Sequence, residues 1–166
     1  MKDQNKYKLL PNTDTHNCFA CGPNNPAGLR MKFFTDEESI VSWMTVPEHL
    51  CGWDNVVHGG IISTILDEIM SWTGIYLLKK ITMTKSMTVD FKKALFVGNE
   101  LRVEGKVVDT DNRHEAVIEG AIYNHKGELC AKATGAFAMI SPAVAKRLGI
   151  INEEIIKDFL EPLIGS

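Results

Sequence analysis

An α+β domain, with a curved antiparallel sheet wrapped around one long central helix, is the fold the sequence predicts. From Gly59 to about Leu78, apolar residues recur at helical spacing, with Ile62, Ile65, Leu66, Ile69, Trp72 and Tyr76 on one stripe. Ile61, Met70, Ile75 and Leu77 widen that stripe until only Ser63, Thr64, Asp67, Glu68, Ser71 and Gly74 offer a polar strip. A helix so apolar is enclosed rather than laid on a surface. The β-rich segments that follow are joined by connections too short for parallel crossovers, so they are antiparallel neighbours.

Residues 1–28 are polar and punctuated by Pro11, Gly22, Pro23, Pro26 and Gly28, and read as an arm with little regular structure. Leu29–Phe34 and Ile40–Val46 suit two strands of a hairpin turned at Asp36-Glu37-Glu38. Pro47–Val57 has no periodicity and forms the loop that leads into the helix. Beyond the helix, strands are expected over Ile81–Phe91, Glu100–Asp109, Glu115–Asn124 and Glu128–Ile140. Turns fall at Val97-Gly98-Asn99, at Asp109-Thr110-Asp111-Asn112 and at His125-Lys126-Gly127. The last three strands each carry an interior glycine, Gly105, Gly120 and Gly135, which weakens a strand unless the chain bends or is closely approached there. After Ser141-Pro142 the tail reads as two short helices, the second capped by Asn152 with Ile155, Ile156, Phe159 and Leu160 as its apolar face. The organisation is thus an arm (1–28), a sheet-and-helix domain (29–140) and a helical tail (141–166).

The chain has 166 residues, 45% hydrophobic and 23% charged, which suits one folded domain and excludes a disordered chain. Its net charge of −3 provides no positive field for a phosphate backbone, so nucleic acid is not expected as a partner. No apolar run is read as a membrane span and the N-terminus lacks the apolar core of a secretory signal, so neither a membrane nor export is expected, and the expected location is cytoplasmic. Four cysteines in a chain long enough to build its own core are expected to be free thiols in a reducing compartment.

The stretch with most chemistry in it is His58-Gly59-Gly60 and the helix after it. Two glycines at a helix start let a ligand approach N–H groups that have no intrahelical partner and that sit at the positive end of the dipole, which is the making of an oxyanion site. Asp67, set among Ile65, Leu66, Ile69 and Met70, needs a polar cavity, a partner or solvent, and such placements are enriched at functional sites. Asp67 lies eight residues beyond Gly59, about 12 Å along a helix, whereas reacting groups meet within about 3–3.5 Å. If both act on one carbonyl, two copies of the helix must run antiparallel across a two-fold axis.

His58-Gly59-Gly60-Ile61-Ile62-Ser63-Thr64-Ile65-Leu66-Asp67-Glu68, with Gly52–Val57 before it and Gly98 ahead of Leu101, resembles the hotdog-fold acyl-CoA thioesterases of the phenylacetate-pathway type, in the 4-hydroxybenzoyl-CoA thioesterase superfamily. Cys18-Phe19-Ala20-Cys21-Gly22 through Asn25-Pro26 and Gly28-Leu29 resembles the N-terminal segment of many members. The resemblance covers about Cys18 to Ile140 and implies hydrolysis of an acyl-CoA thioester to free acid and coenzyme A, by a homodimer or a dimer of dimers, with no cofactor and no metal. It assigns the carbonyl-polarising N–H to Gly59, and the general base or nucleophile to Asp67 of the opposite subunit. To His58 it assigns a role in the turn or at the substrate. A Ser or Thr about ten residues before Lys93-Ala94 is implied as well, with Thr84 the candidate and Ser86 the nearest alternative. Lys92-Lys93-Ala94 departs from the Arg-Pro that members often carry at that turn. The implied substrate-binding set is Gly60, Asn55, Glu68, Lys92 and Lys93, with Lys79, Lys80 and Lys85 as further candidates for the phosphates of coenzyme A. Ile62, Leu66 and Trp72 would help shape an acyl pocket.

Two other functions fit the same residues: a non-catalytic acyl-CoA binding or sensing module, and a hotdog dehydratase using His58 with Asp67 or Glu68. Separately, His16-x-Cys18-x-x-Cys21 offers soft ligands to zinc, with His49, Cys51 or Cys130 as a fourth. No second paired cluster follows, so buried thiols are the expectation there.

Overall fold

A 20-residue helix, α1 (Gly59–Leu78), lies against a seven-stranded antiparallel sheet in the computed structural model, which describes residues 6–14, 16–110 and 113–165. The strands are β1 (Lys8–Leu9), β2 (Phe34–Thr35), β3 (Ile40–Thr45), β4 (Ile81–Phe91), β5 (Glu100–Asp109), β6 (Glu115–Tyr123) and β7 (Leu129–Ile140). Their order across the sheet is β1-β2-β3-β5-β6-β7-β4. The chain leaves β3, crosses the sheet as α1 and returns as β4 at the far edge, so one long side of β4 has no strand beside it among the described residues. The sheet is not closed. This is the hotdog arrangement that the resemblance implies.

Register explains why the sheet can sit so close to the helix. Gly105 of β5 pairs with Gly120 of β6. A Cβ at Gly105 would collide with Thr73 Oγ1 and lie 2.9 Å from the Ile69 carbonyl oxygen, and one at Gly120 would lie 3.2 Å from Ile69, Leu66 and Met70. The paired glycines form a shallow groove that takes the middle of α1. Around it Ile65, Leu66, Ile69, Met70 and Trp72 pack on Leu101, Val103, Ile118, Ile122 and Phe137, all buried. Fully burying side chains of this size stabilises the fold by about 1.5–3 kcal/mol each relative to exposure. Ile62, Leu66 and Trp72 are therefore core in this chain, although Trp72 also borders a cavity described below.

The rest of α1 is covered by segments the sequence analysis set apart from the domain. The arm is more ordered than expected: β1 pairs with β2, and Leu10, Ala20 and Cys21 are buried. The expected strand at Leu29–Phe34 shrinks to Phe34–Thr35 because its donors are used elsewhere. Leu29 N–H bonds Phe19 O and Met31 N–H bonds Ala20 O, both at 2.9 Å, while the Phe33 carbonyl accepts from Leu10 N–H at 2.8 Å. At the other end come α2 (Pro142–Arg147), α3 (Glu153–Ile155), a π turn (Ile156–Leu160) and α4 (Glu161–Ile164). Ser141 and Asn152 cap α2 and α3 as read, accepting from Val144 N–H and Ile155 N–H. Phe159 meets Trp72 edge-on at 5.3 Å, Trp72 stacks on Phe33 at 4.2 Å, and Lys79 Nζ donates to the Leu163 carbonyl at 2.9 Å, which holds the tail on α1.

Two expectations need amendment. Among the described residues α1 is, by length and composition, long and apolar enough to cross a membrane, contrary to the expectation that no run is, but here its apolar face is buried by the sheet, arm and tail. Of the turn at Asp109–Asn112, Asp111 and Asn112 lie outside the described residues.

Candidate active site

The loop after β3 contains a short 3-10 turn (Glu48–Leu50) and is tied down where Cys51 bridges Val57 and Val56 bridges Phe96. It delivers His58 as the N-cap of α1. His58 Nδ1 accepts the Gly60 N–H at 3.0 Å, and its carbonyl accepts from Ile61 N–H (2.9 Å) and Ile62 N–H (3.1 Å). The histidine thus shapes the turn, the first of the two roles implied for it. With Gly60 engaged, the Gly59 N–H has no acceptor among the described residues and sits at the positive end of a 20-residue helix. Ser63 and Thr64 hydroxyls donate back to the Gly59 and Gly60 carbonyls at 3.0 and 2.9 Å, fixing the first turn. A Cβ at Gly59 would lie 3.7 Å from the Phe91 ring, so Gly59 opens towards the end of β4.

Two turns further along α1, Asp67 faces the middle of β4. Thr84 Oγ1 donates to Asp67 Oδ1 at 2.6 Å. The register between β4 and β7 slips between Thr84 and Ser86, a bulge of the kind that re-aims side chains on an edge strand. Between the two candidates left open by the sequence, it is Thr84 and not Ser86 that meets the carboxylate. A charge-assisted hydrogen bond of this length fixes the rotamer of Asp67.

The remaining sequence candidates divide. Asn55 is exposed in the loop beneath the turn, its carbonyl accepting Val97 N–H at 2.9 Å. Lys92 and Lys93 are exposed just past β4, their N–H groups both on the Cys130 carbonyl, and Lys93 Nζ pairs with Glu128 at 2.7 Å. Glu68 goes elsewhere. One residue on is about 100° around a helix, and there its carboxylate meets the arm: Cys18 Sγ lies 3.8 and 3.9 Å from its two oxygens, and Trp72 Nε1 donates to Oε1 at 3.1 Å. Burial pushes the Glu68 carboxyl up to about 7. The Cys21 thiol donating to Cys18 holds Cys18 down to about 5 and is itself pushed up. Sequence reading had Cys18 and Cys21 together but not Glu68, because fifty residues separate them. The available signal was a second acid on an enclosed helix, the same one that drew attention to Asp67.

Residues 54–131, which hold the His58 turn, α1 and β4–β6, match the model of the thioesterase superfamily. A thioesterase superfamily protein of known structure superposes with a TM-score of 0.69 at 21% identity, covering 75% of this chain and 61% of its own. The PaaI protein of the phenylacetic acid degradation operon of E. coli does so with 0.62 at 21%, covering 68% and 81%. A hypothetical thioesterase protein from Streptococcus pneumoniae, solved with coenzyme A, gives 0.57 at 22%, covering 63% and 80%. Structures also exist of that protein with an aspartate and with a threonine changed to alanine. An uncharacterised mitochondrial protein of Candida albicans is 34% identical over 90 residues, 52% of this chain. The match spans 40% of that relative's length. The class defined by the fold and the matched segment is that of the hotdog proteins. Within that class the family that the sequence resembles, the thioesterase superfamily, is borne out.

Proposed function

We propose that the chain is an acyl-CoA thioesterase that works as a homodimer, hydrolysing the thioester to a free acid and coenzyme A. The observation that carries this is the pair of centres on α1: an uncommitted Gly59 N–H at the helix start, and Asp67 held by Thr84 about 12 Å along the axis. Neither centre completes a reaction by itself. Two copies related by a two-fold axis along the open side of β4 would bring the Gly59 of one against the Asp67 of the other, giving two equivalent sites. The surface near the turn suits such a partner, since Trp53 is 87% exposed and Phe91 57% exposed. An unpaired edge strand is also a ready template for pairing with a second chain.

The proposed chemistry needs no more than these parts. Asp67 takes a proton from a water molecule as the water oxygen adds to the thioester carbonyl carbon. The Gly59 N–H, aided by the helix dipole, holds the oxyanion that forms. The carbon–sulfur bond then breaks, and the coenzyme A sulfur leaves with the proton returned by the Asp67 carboxyl. Thr84 keeps the carboxylate oriented throughout. Lys92 and Lys93, beyond the end of β4, are the cations proposed to meet the phosphates.

A panel of acyl-CoA esters assayed for released thiol, with Asp67→Ala beside the parent chain, tests the proposal. Thiol release by the parent and loss of most of it in a dimeric, folded Asp67→Ala protein is expected. Full turnover in that variant, or in a stable monomer, would overturn it. Tight acyl-CoA binding with no thiol released would turn the reading to a binding module, and an enoyl product to a dehydratase.

A further inference from the structure

An adjacent face of α1, about 100° around from Asp67, holds a cluster that the proposed hydrolysis does not use. The turn Cys18–Cys21 is closed by Gly22 N–H on the Cys18 carbonyl at 2.9 Å, and only glycine fits at 22, where a Cβ would lie 2.6 Å from the Cys18 carbonyl oxygen. Asn12 Nδ2 anchors the Cys21 carbonyl at 3.0 Å. The turn directs both sulfurs at Glu68, and the two Sγ atoms and a Glu68 oxygen all lie within 4.8 Å of one another. Ligand atoms that share a tetrahedral zinc ion, at about 2.3 Å for sulfur and about 2.1 Å for oxygen, stand about 3.6 Å apart. The Cys18 sulfur is 3.8 Å from the nearer Glu68 oxygen, within a few tenths of an ångström of that separation.

The surroundings favour a cation. The cluster forms one wall of a cavity of about 440 Å³ between the arm, α1 and the tail. Among the described residues, that cavity is bordered by three carboxylates, Glu68, Glu154 and Asp158, and by no lysine or arginine. It is therefore unsuited to the phosphates of coenzyme A and suited to a positive ion. The Glu68 carboxylate is held by the Trp72 N–H, which donates to Oε1, and metal-bound carboxylates are commonly hydrogen-bonded in this way. Two thiols and a carboxylate select zinc over magnesium or calcium, which take oxygen ligands.

We propose that Cys18, Cys21 and Glu68 bind one zinc ion through two thiolates and a carboxylate, with the fourth position open to a water or solute in the cavity beside His16. Of the ligands weighed from sequence, His16, His49, Cys51 and Cys130 are not members of the cluster among the described residues; Glu68 is its third ligand. Binding releases the thiol protons to solvent and clamps the N-terminal arm onto α1. Glu68 projects about 100° around the helix from Asp67 and the cluster shares no side chain with the proposed hydrolytic centre, so the two assignments are tested separately.

The test is metal analysis of the full chain purified without chelator, followed by zinc and cobalt titration of the stripped protein. Close to one zinc per chain is expected. So are the intense visible bands of a tetrahedral thiolate–cobalt centre on titration, and a lower Tm after chelation. Cys18→Ser and Glu68→Gln should each bring the metal content to background. Trp72→Phe, which keeps the ligands and removes the N–H, should weaken zinc binding about 10- to 100-fold. Cys18→Ser is chosen because Cys18 is only partly buried, and circular dichroism checks its fold. Failure of the stripped, folded parent chain to take up zinc or to develop the cobalt bands would overturn the assignment. A Cys18–Cys21 disulfide in protein purified under reducing conditions would overturn it too.

Discussion

Asp67 and Glu68 are adjacent, carry the same functional group and sit on the same helix, yet their surroundings are opposite. Asp67 faces an edge strand that has no neighbour beyond it, where a threonine hydroxyl holds it at 2.6 Å. Glu68 faces inwards, against two thiols and an indole N–H, and burial raises its pKa to about 7. The lesson is geometric. A step of one residue turns a side chain by about 100°, so one apolar helix can present a carboxylate to a surface awaiting a partner and a second to a cavity between arm and tail. Chemical identity did not separate these two acids; the faces they occupy did.

The contrast can be broken most directly at the acids themselves. Asp67→Asn should lower thiol release about 10²- to 10⁴-fold, the range expected for loss of a general base, with the dimer and Tm retained. Glu68→Gln should cost far less turnover while abolishing zinc uptake. Parallel kinetics and metal analysis of the two variants decide the matter, since equal losses of turnover would mean that both acids serve one site.

Thr84→Ala comes next. Hydrogen bonds to charged groups contribute about 1.5–3 kcal/mol, and each 1.4 kcal/mol is tenfold in rate. A loss of about 10- to 10²-fold in kcat is expected with KM little changed, because the threonine holds the carboxylate and not the substrate. A pure KM effect would move Thr84 from positioning to binding.

Phe91→Glu sharpens the open-edge side of the comparison. Loss of an interface contact worth about 1 kcal/mol or more should raise the dimer dissociation constant about fivefold or more in sedimentation, with activity falling as dimer is lost. An unchanged constant would place the contact elsewhere. The mildest effect on chemistry, though not on stability, is expected from Gly105→Ala. Its methyl would press on Thr73 and Ile69. Overpacking costs about 1–3 kcal/mol, which for a chain of this size lowers Tm by about 2–12 °C. The ratio of turnover to zinc uptake should stay as it was.

Much of this was legible in the residues. The bounds of α1, β4 and β5 follow from periodicity and turn chemistry, and the caps at Ser141 and Asn152 were readable because capping is a local matter of one side chain and an N–H two or three residues on. Gly105 and Gly120 could be read as places of close approach, since an interior glycine in a strand needs such a reason. The strand expected at Leu29–Phe34 was misread because its alternating apolar residues suit pairing, and nothing local reveals that its N–H groups are taken by the turn at Phe19–Ala20. The choice of Thr84 over Ser86 was equally hidden, depending on a bulge set by register with β7.

By itself, the sequence determined the elements, the enclosed character of α1 and the chemistry at its start, because these rest on spacing and on backbone groups within a turn of one another. Tertiary structure alone decided which acid meets which partner. Contacts such as Asp67 with Thr84, or Glu68 with Cys18, join segments 17 and 50 residues apart. Whether such residues meet is set by strand order, register and the rotation of a helix against its sheet, which no local pattern encodes.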